Sequence, residues 1–187
     1  MATLRHNKAN LISVPLTVVS LSIKKMIYPK NLFFSVVERF SPGVVVDVDR
    51  KSKIRFGKRV SIHSRCRIAS TNGGILYIGE HTSFNVGCIV TCRNKITIGS
   101  GVSFAPNVMM YDHDHMIHPE HGVNKTDYEL GEIEIGDNTW IGAGVIILKG
   151  TRIGKNCVIA AGSVVKGNIP DGTILIQKRT NTYKGVE

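Results

Sequence analysis

Acidic residues are scarce in this 187-residue chain: there are 14, against 24 lysines and arginines, for a formal net charge of +10. Such an excess implies an anionic partner, whether nucleic acid, a membrane surface, or a phosphorylated cofactor or substrate. Aromatics are also few, at 6%. With no basic helix or aromatic-studded motif beside the charge, a nucleic-acid module is not expected. The four cysteines, Cys66, Cys88, Cys92 and Cys157, match no disulfide framework. They read as small buried thiols in a reducing compartment, and Cys88 and Cys92 lack the further ligands of a zinc knuckle. No Gly-x-Ser-x-Gly elbow occurs, so a serine nucleophile of that kind is not expected.

A long uninterrupted apolar run is missing as well. Residues 11–23 come nearest, but Ser13, Pro15, Thr17, Ser20 and Ser22 break them up, and the run is too short to span a bilayer. Around it stand Arg5, Lys8, Lys24, Lys25 and Lys30, with no acid in the first thirty residues. Two readings stay open for residues 1–30: peripheral contact with anionic lipid at the inner membrane face, or a helix or arm packed on the rest of the chain or on a neighbouring subunit. The expected location is cytoplasmic.

What the chain does have is a repeat. Ile135, Ile141, Ile147, Ile153, Ile159 and Val165 recur every sixth residue, and Gly136, Gly142 and Gly154 directly follow three of them. A period of six matches neither the helical 3.6 nor the strand's 2. It suits a three-sided coil in which each hexad supplies one flat face and a turn, with the aliphatic residues stacked on the axis. Small or β-branched residues at Thr139, Val145, Thr151, Cys157 and Ser163 suit a narrow interior. Upstream, Ile54, Val60 and Cys66, then Ile78, Phe84 and Val90, then Ile98, Phe104 and Met110 carry the same spacing. Three segments follow in one domain: an extension over 1–43, the coil over 44–170, and a strand and basic tail over 171–187.

The repeat fails over 111–132, which reads as an inserted loop of the kind that gathers chemistry. At its start stands Tyr111-Asp112-His113-Asp114-His115, with His118 and His121 beyond. Histidine among carboxylates is suited to general base catalysis near neutral pH. Strand alternation would set Asp112 and Asp114 opposite His113 and His115.

The hexads resemble the hexapeptide-repeat family. The run Phe104-Ala105-Pro106-Asn107-Val108, His115, the loop and Asn138-Thr139-Trp140-Ile141-Gly142 resemble its galactoside and maltose O-acetyltransferase branch, and the Asp-His-Asp-His wording resembles acetyltransferases of surface polysaccharides. The resemblance implies an all-β fold, a left-handed parallel β-helix of about five coils, assembled as a homotrimer with sites between chains. It also implies direct acetyl transfer from acetyl-CoA to a sugar hydroxyl without a metal. His115 falls on the family's catalytic histidine, with His113 beside it. Asn85 falls on an acceptor-sugar contact, and Tyr111, Asp112 and Asp114 border the same acceptor. Trp140, Gly142 and Ala143 fall beside the acetyl group, Ala143 through its backbone N–H. Ala160 and Ala161 lie along the pantetheine arm, and Lys166 and Lys178 reach coenzyme phosphates. One departure is Lys166-Gly167, where members carry Thr-Lys.

Two rival functions remain open on this fold. One is a zinc enzyme like the γ-class carbonic anhydrases, with His81, His113 and His118 as ligands. The other is a β-helix that binds glycan or scaffolds partners without catalysis.

Overall fold

In the computed structural model the chain is described over residues 2–35, 38–178, 180 and 182–184, with side chains from residue 15 onward; Arg5, Lys8 and Arg179 therefore fall outside what is described of side chains. A helix, Ala2–Ile27, is followed by stacked coils of short parallel strands. The strands form three sheets of seven, seven and six members, about six turns and so slightly more than the spacing predicts. The excess comes from both ends, since Leu32–Phe33 pairs with the strand Lys53–Phe56, and Ile174–Leu175 pairs with Val158–Ile159.

Register explains the six-residue period. Ile135 pairs with Ile153 in the first sheet, Ile141 with Ile159 in the second, and Ile147 with Val165 in the third. All six are essentially without exposed surface. One coil there is eighteen residues, three hexads closing a triangle. The phase differs nearer the amino end. Phe56, Ile62 and Ile68 pair with Ile78, Phe84 and Val90, whereas Ile54, Val60 and Cys66 stand two residues earlier. Ile54 and Phe56 both point inward from Lys53–Phe56, and Val60 and Cys66 are buried turn residues just ahead of Ser61–Ile62 and Arg67–Ser70, so two apolar columns two residues apart run through these coils.

The four cysteines are free, buried members of these columns. A hydrogen bond from Cys66 and then burial push the Cys88 thiol up; burial first, and then the nearby Asp112 charge, do the same for Cys92. Close stacking also decides where glycine is required. A Cβ on Gly142 would stand 2.6 Å from the Ala161 amide nitrogen. At the corners, asparagine repeatedly takes the left-handed conformation it tolerates, as at Asn107, Asn138 and Asn156 with φ of 60, 57 and 54°.

The helix closes the amino end of the stack. Thr17 Oγ1 donates to the Phe40 carbonyl and accepts from the Phe40 N–H, both at 2.9 Å, Leu21 is buried, and Lys25 Nζ donates to the Pro29 and Leu32 carbonyls. Its far side exposes Leu16, Val19, Ile23, Met26 and Ile27. No helix among the described residues is long and apolar enough to cross a membrane.

The segment read as a loop is an ordered antiparallel hairpin, His113–His118 with Gly122–Leu130. It leaves the corner between the third and first sheets, where Met109–Tyr111 ends and Ile133–Ile135 begins. The earlier coils also carry extra chain at that corner: Ile54 pairs with Leu76 and Leu76 with Ile96, steps of 22 and 20 residues, so the hairpin is an enlargement where the fold already admits extra chain.

Candidate active site

At the foot of the hairpin the chain bends at Asp112, which is not part of either neighbouring strand. Alternation therefore stops applying there, and Asp112 turns back. Its Oδ1 and Oδ2 accept from the Arg93 and Asn94 N–H groups at 2.8–3.0 Å, and Oδ1 accepts from His113 Nδ1 at 2.9 Å. The carboxylate has no exposed surface. Strand alternation alone would set Asp112 opposite His113, but the bend brings its carboxylate onto the His113 ring, so the group expected to border the acceptor is engaged by the protein's own donors. Asp112 belongs instead to a set: Asp49, Asp137 and Asp171 accept in the same manner from the Asn72, Ser100 and Lys155 N–H groups of adjoining coils.

His113 is mostly buried, with 11% of its side chain exposed, and its ring meets Tyr128 edge-on at 5.3 Å. His115 stands further out on the same strand, exposed, its ring 4.7 Å from that of Tyr128. His115 Nδ1 lies 2.9 Å from the Asn124 carbonyl on the return strand. Because a carbonyl only accepts, Nδ1 carries the proton and Nε2 is left as a base. A register shift between His115 and Ile117 re-aims the strand just beyond it, as bulges do. The Arg93 guanidinium lies 4.1 Å over the other partner of both rings, Tyr128. Asp114 is exposed and is held by Lys149 at 3.3 Å, and Tyr111 is half-buried at the end of its strand.

The remaining candidates, Lys166 apart, are grouped at a different corner, between the second and third sheets. Asn85 follows the strand Ser83–Phe84, Gly142 and Ala143 follow Trp140–Ile141, Ala160 and Ala161 follow Val158–Ile159, and Lys178 comes after Ile174–Leu175. Trp140 is 53% exposed and borders a cavity of about 360 Å³ with His63, Ser83, Asn85, Ser103 and Ala105. Asn85 is exposed and its Oδ1 accepts from the Val86 N–H at 2.8 Å, so its oxygen serves the turn. Gly142 is buried and Ala143, Ala160 and Ala161 line the edge. No acceptor among the described residues engages the Ala143 N–H, which suits it to an oxyanion. Lys166 is exposed but sits at the hairpin corner with Gly167, away from the edge that carries Ala160 and Ala161.

Thus the candidate residues of one chain fall into two groups, histidines at one corner and Trp140 with Ala143 at another, with the third sheet between them. His81 is at a third corner, after Gly79 and Glu80, so His81, His113 and His118 are not gathered within one chain. Among the described residues no group of three or more metal-ligating side chains is assembled. Tyr128, Asn124, Arg93 and Lys149 were not singled out by the sequence; only Tyr128, the one aromatic between Tyr111 and Trp140, carried a signal.

Residues 132–167 match the family described as "Bacterial transferase hexapeptide (six repeats)". The galactoside O-acetyltransferase of Lactococcus lactis is 31% identical over 144 residues, covering 74% of this chain and 69% of that protein. The galactoside O-acetyltransferase of Escherichia coli is 37% identical over 102 residues, covering 54% and 50%. Among solved structures, AntD, an N-acyltransferase from Bacillus cereus in complex with dTDP and coenzyme A, superposes with a TM-score of 0.66 at 15% identity, covering 89% of this chain and 88% of that one. The chain thus spans about half the length of the Escherichia coli relative and a little over two thirds of the Lactococcus one.

Proposed function

Because the chain belongs to the hexapeptide-repeat acetyltransferase family, we propose that it moves an acetyl group from acetyl-CoA to a sugar hydroxyl, the acceptor being a bacterial surface polysaccharide or its precursor. The observation that carries this reading is His115, an exposed imidazole whose Nδ1–H is committed to the Asn124 carbonyl at 2.9 Å. Nε2 takes the proton of the acceptor hydroxyl as its oxygen attacks the thioester carbonyl. The carbonyl oxygen, gaining charge, is met by the Ala143 N–H. As the C–S bond breaks, the imidazolium returns its proton to the departing thiolate. The small Ala160 and Ala161 leave room along the edge for a slender pantetheine arm, and exposed Lys178 at the end of that edge suits a phosphate.

The distance in the fold between these two groups, read as half-sites, favours a homotrimer in which the histidine corner of one chain faces the Trp140 corner of the next. Contact of the amino-terminal helix with anionic lipid is the finer reading of its exposed apolar side; sedimentation with anionic but not neutral vesicles, abolished by deleting residues 1–30, is the expected outcome.

The direct test measures thiol release from acetyl-CoA with galactosides and surface-glycan repeat units as acceptors. His115→Ala is expected to lower kcat roughly a hundredfold or more, with the KM for acetyl-CoA nearly unchanged. His113 supplies a second reading, because buried Asp112 fixes its tautomer in the same sense. Under that reading His113→Ala is the more damaging of the two substitutions.

A further inference from the structure

The hairpin that carries His115 has an electrostatic fault built into its pairing. Asp114 and Glu129 are directly opposite partners across its two strands, and like charges so placed drive an antiparallel pair apart. The next pair outward is His115 with Tyr128, after which the register shifts. Only the pair His113 with Leu130 separates this fault from the coil. Beyond it every residue from Asp114 to Val123 is exposed, and packing is confined to the half-buried Asn124 and Tyr128 of the return strand.

A cation from the solenoid sits at the fault. Lys149 belongs to the turn between Ile146–Ile147 and Arg152–Ile153, one coil on from the hairpin. Its side chain is only 8% exposed, and its Nζ meets Glu129 Oε2 at 2.5 Å and Asp114 Oδ2 at 3.3 Å. The Glu129 carboxylate holds the lysine above its ordinary pKa, so the ammonium form is kept. Gly131, where the return strand rejoins the coil, lies so close that a Cβ there would be 2.9 Å from the Gly150 amide nitrogen and 3.2 Å from Lys149 Cβ. The hairpin therefore rests on the very turn that supplies the cation.

We propose that Lys149 is a positioning residue for the acetyl transfer: by bridging Asp114 and Glu129 it fastens both hairpin strands to the rigid coil and fixes where His115 stands. The inference rests on the reading of His115 as the base. Lys149 touches neither reacting group; its own bonds are spent on the two carboxylates. Its effect passes through the strand, where a displacement of about 1 Å suffices to cost a large part of the rate.

The test compares Lys149→Met, Lys149→Arg and the double variant Lys149→Met with Glu129→Gln, each assayed for acetyl transfer and for amide hydrogen exchange of the unliganded protein. In Lys149→Met, exchange over 114–130 should rise about tenfold while the coil keeps its protection. The same variant should lose roughly ten- to a hundredfold in kcat, with the KM for acetyl-CoA within about twofold of the parent. Lys149→Arg should retain both properties. Adding Glu129→Gln removes the facing charges and should recover part of the protection and part of kcat together. Unchanged hairpin exchange in Lys149→Met overturns the proposal, as does a kcat loss that Glu129→Gln leaves untouched, which would place Lys149 against substrate. If the exchange pattern follows expectation but the parent protein transfers no acetyl group to any acceptor, the clamp stands and the acetyl-transfer reading falls.

Discussion

At the scale of single residues, Asp112 shows how one carboxylate serves stability and geometry together. Three donors converge on a group without exposed surface, so its removal strands backbone N–H groups and frees the His113 ring. Asp112→Ala should cost about 1–3 kcal/mol for unsatisfied buried donors, read as a lower thermal midpoint. Asp112→Asn should cost less, because the amide oxygen still accepts. Gly142 tests the opposite limit, too much matter instead of too little. The contact of 2.6 Å that a Cβ would make is with backbone, which cannot swing aside, so Gly142→Ala is expected to destabilise by about 1–3 kcal/mol, as overpacking does. If its thermal unfolding matched that of the parent, the coil spacing at this edge would have to be looser than the register of Ile141 with Ile159 implies.

At the scale of elements, what the sequence disclosed depended on how many inward residues each strand carries. The strands from Trp140–Ile141 to Val164–Val165 are of two residues with one buried residue each, so the hexad is legible there. Nearer the amino end a second buried apolar residue stands two positions before each paired one, in the strand at Ile54 and in the turns at Val60 and Cys66, and the sequence shows that neighbouring column in place of Phe56, Ile62 and Ile68. The insertion was visible as a failure of the period, yet its hairpin pairing was not. That pairing joins His113 to Leu130 across a segment of mixed polarity, and the bridge from Lys149 joins residues far apart in sequence. Both are facts of register that no local pattern encodes. The amino-terminal helix is likewise held by tertiary contacts instead of by a strong amphipathic pattern, with Leu21 and Thr17 facing the first coil. Leu21→Ala should therefore cost about 2–5 kcal/mol, the helix loosening before the coil in hydrogen exchange.

At the scale of the whole molecule, the acid sensitivity of the stack follows from its recurring aspartate contacts. A backbone bond from Ser100, and then Lys155, hold the Asp137 carboxyl below its ordinary 3.8. For Asp49, partial burial pushes upward, but hydrogen bonds from Ser52, Asn72 and Lys51 outweigh it and leave it lowered. A lowered folded value means that the stabilisation is present above the unfolded value and is lost as pH falls through the folded one. The thermal midpoint should thus hold steady above pH of about 5 and decline below about 4, with Asp137→Asn flattening part of the decline.

The same scale decides whether the two half-sites work together. His115 and Asn85 leave the triangular section at different corners, so the proposed groove with an imidazole beside the Trp140 edge is one that two chains would form corner to corner. Co-expressing His115→Ala chains with Asn85→Ala chains makes this measurable. Each parent variant alone has one damaged half at every interface. Over all trimers assembled at random from equal amounts of the two chains, about a quarter of the interfaces pair two intact halves, because each half is drawn independently from the two chain types around a closed ring. Activity should then return to about that fraction of the unsubstituted protein's, while a site confined to one chain would give no recovery at any mixing ratio. Sedimentation showing a monomer at assay concentration would independently remove the geometry on which the recovery depends.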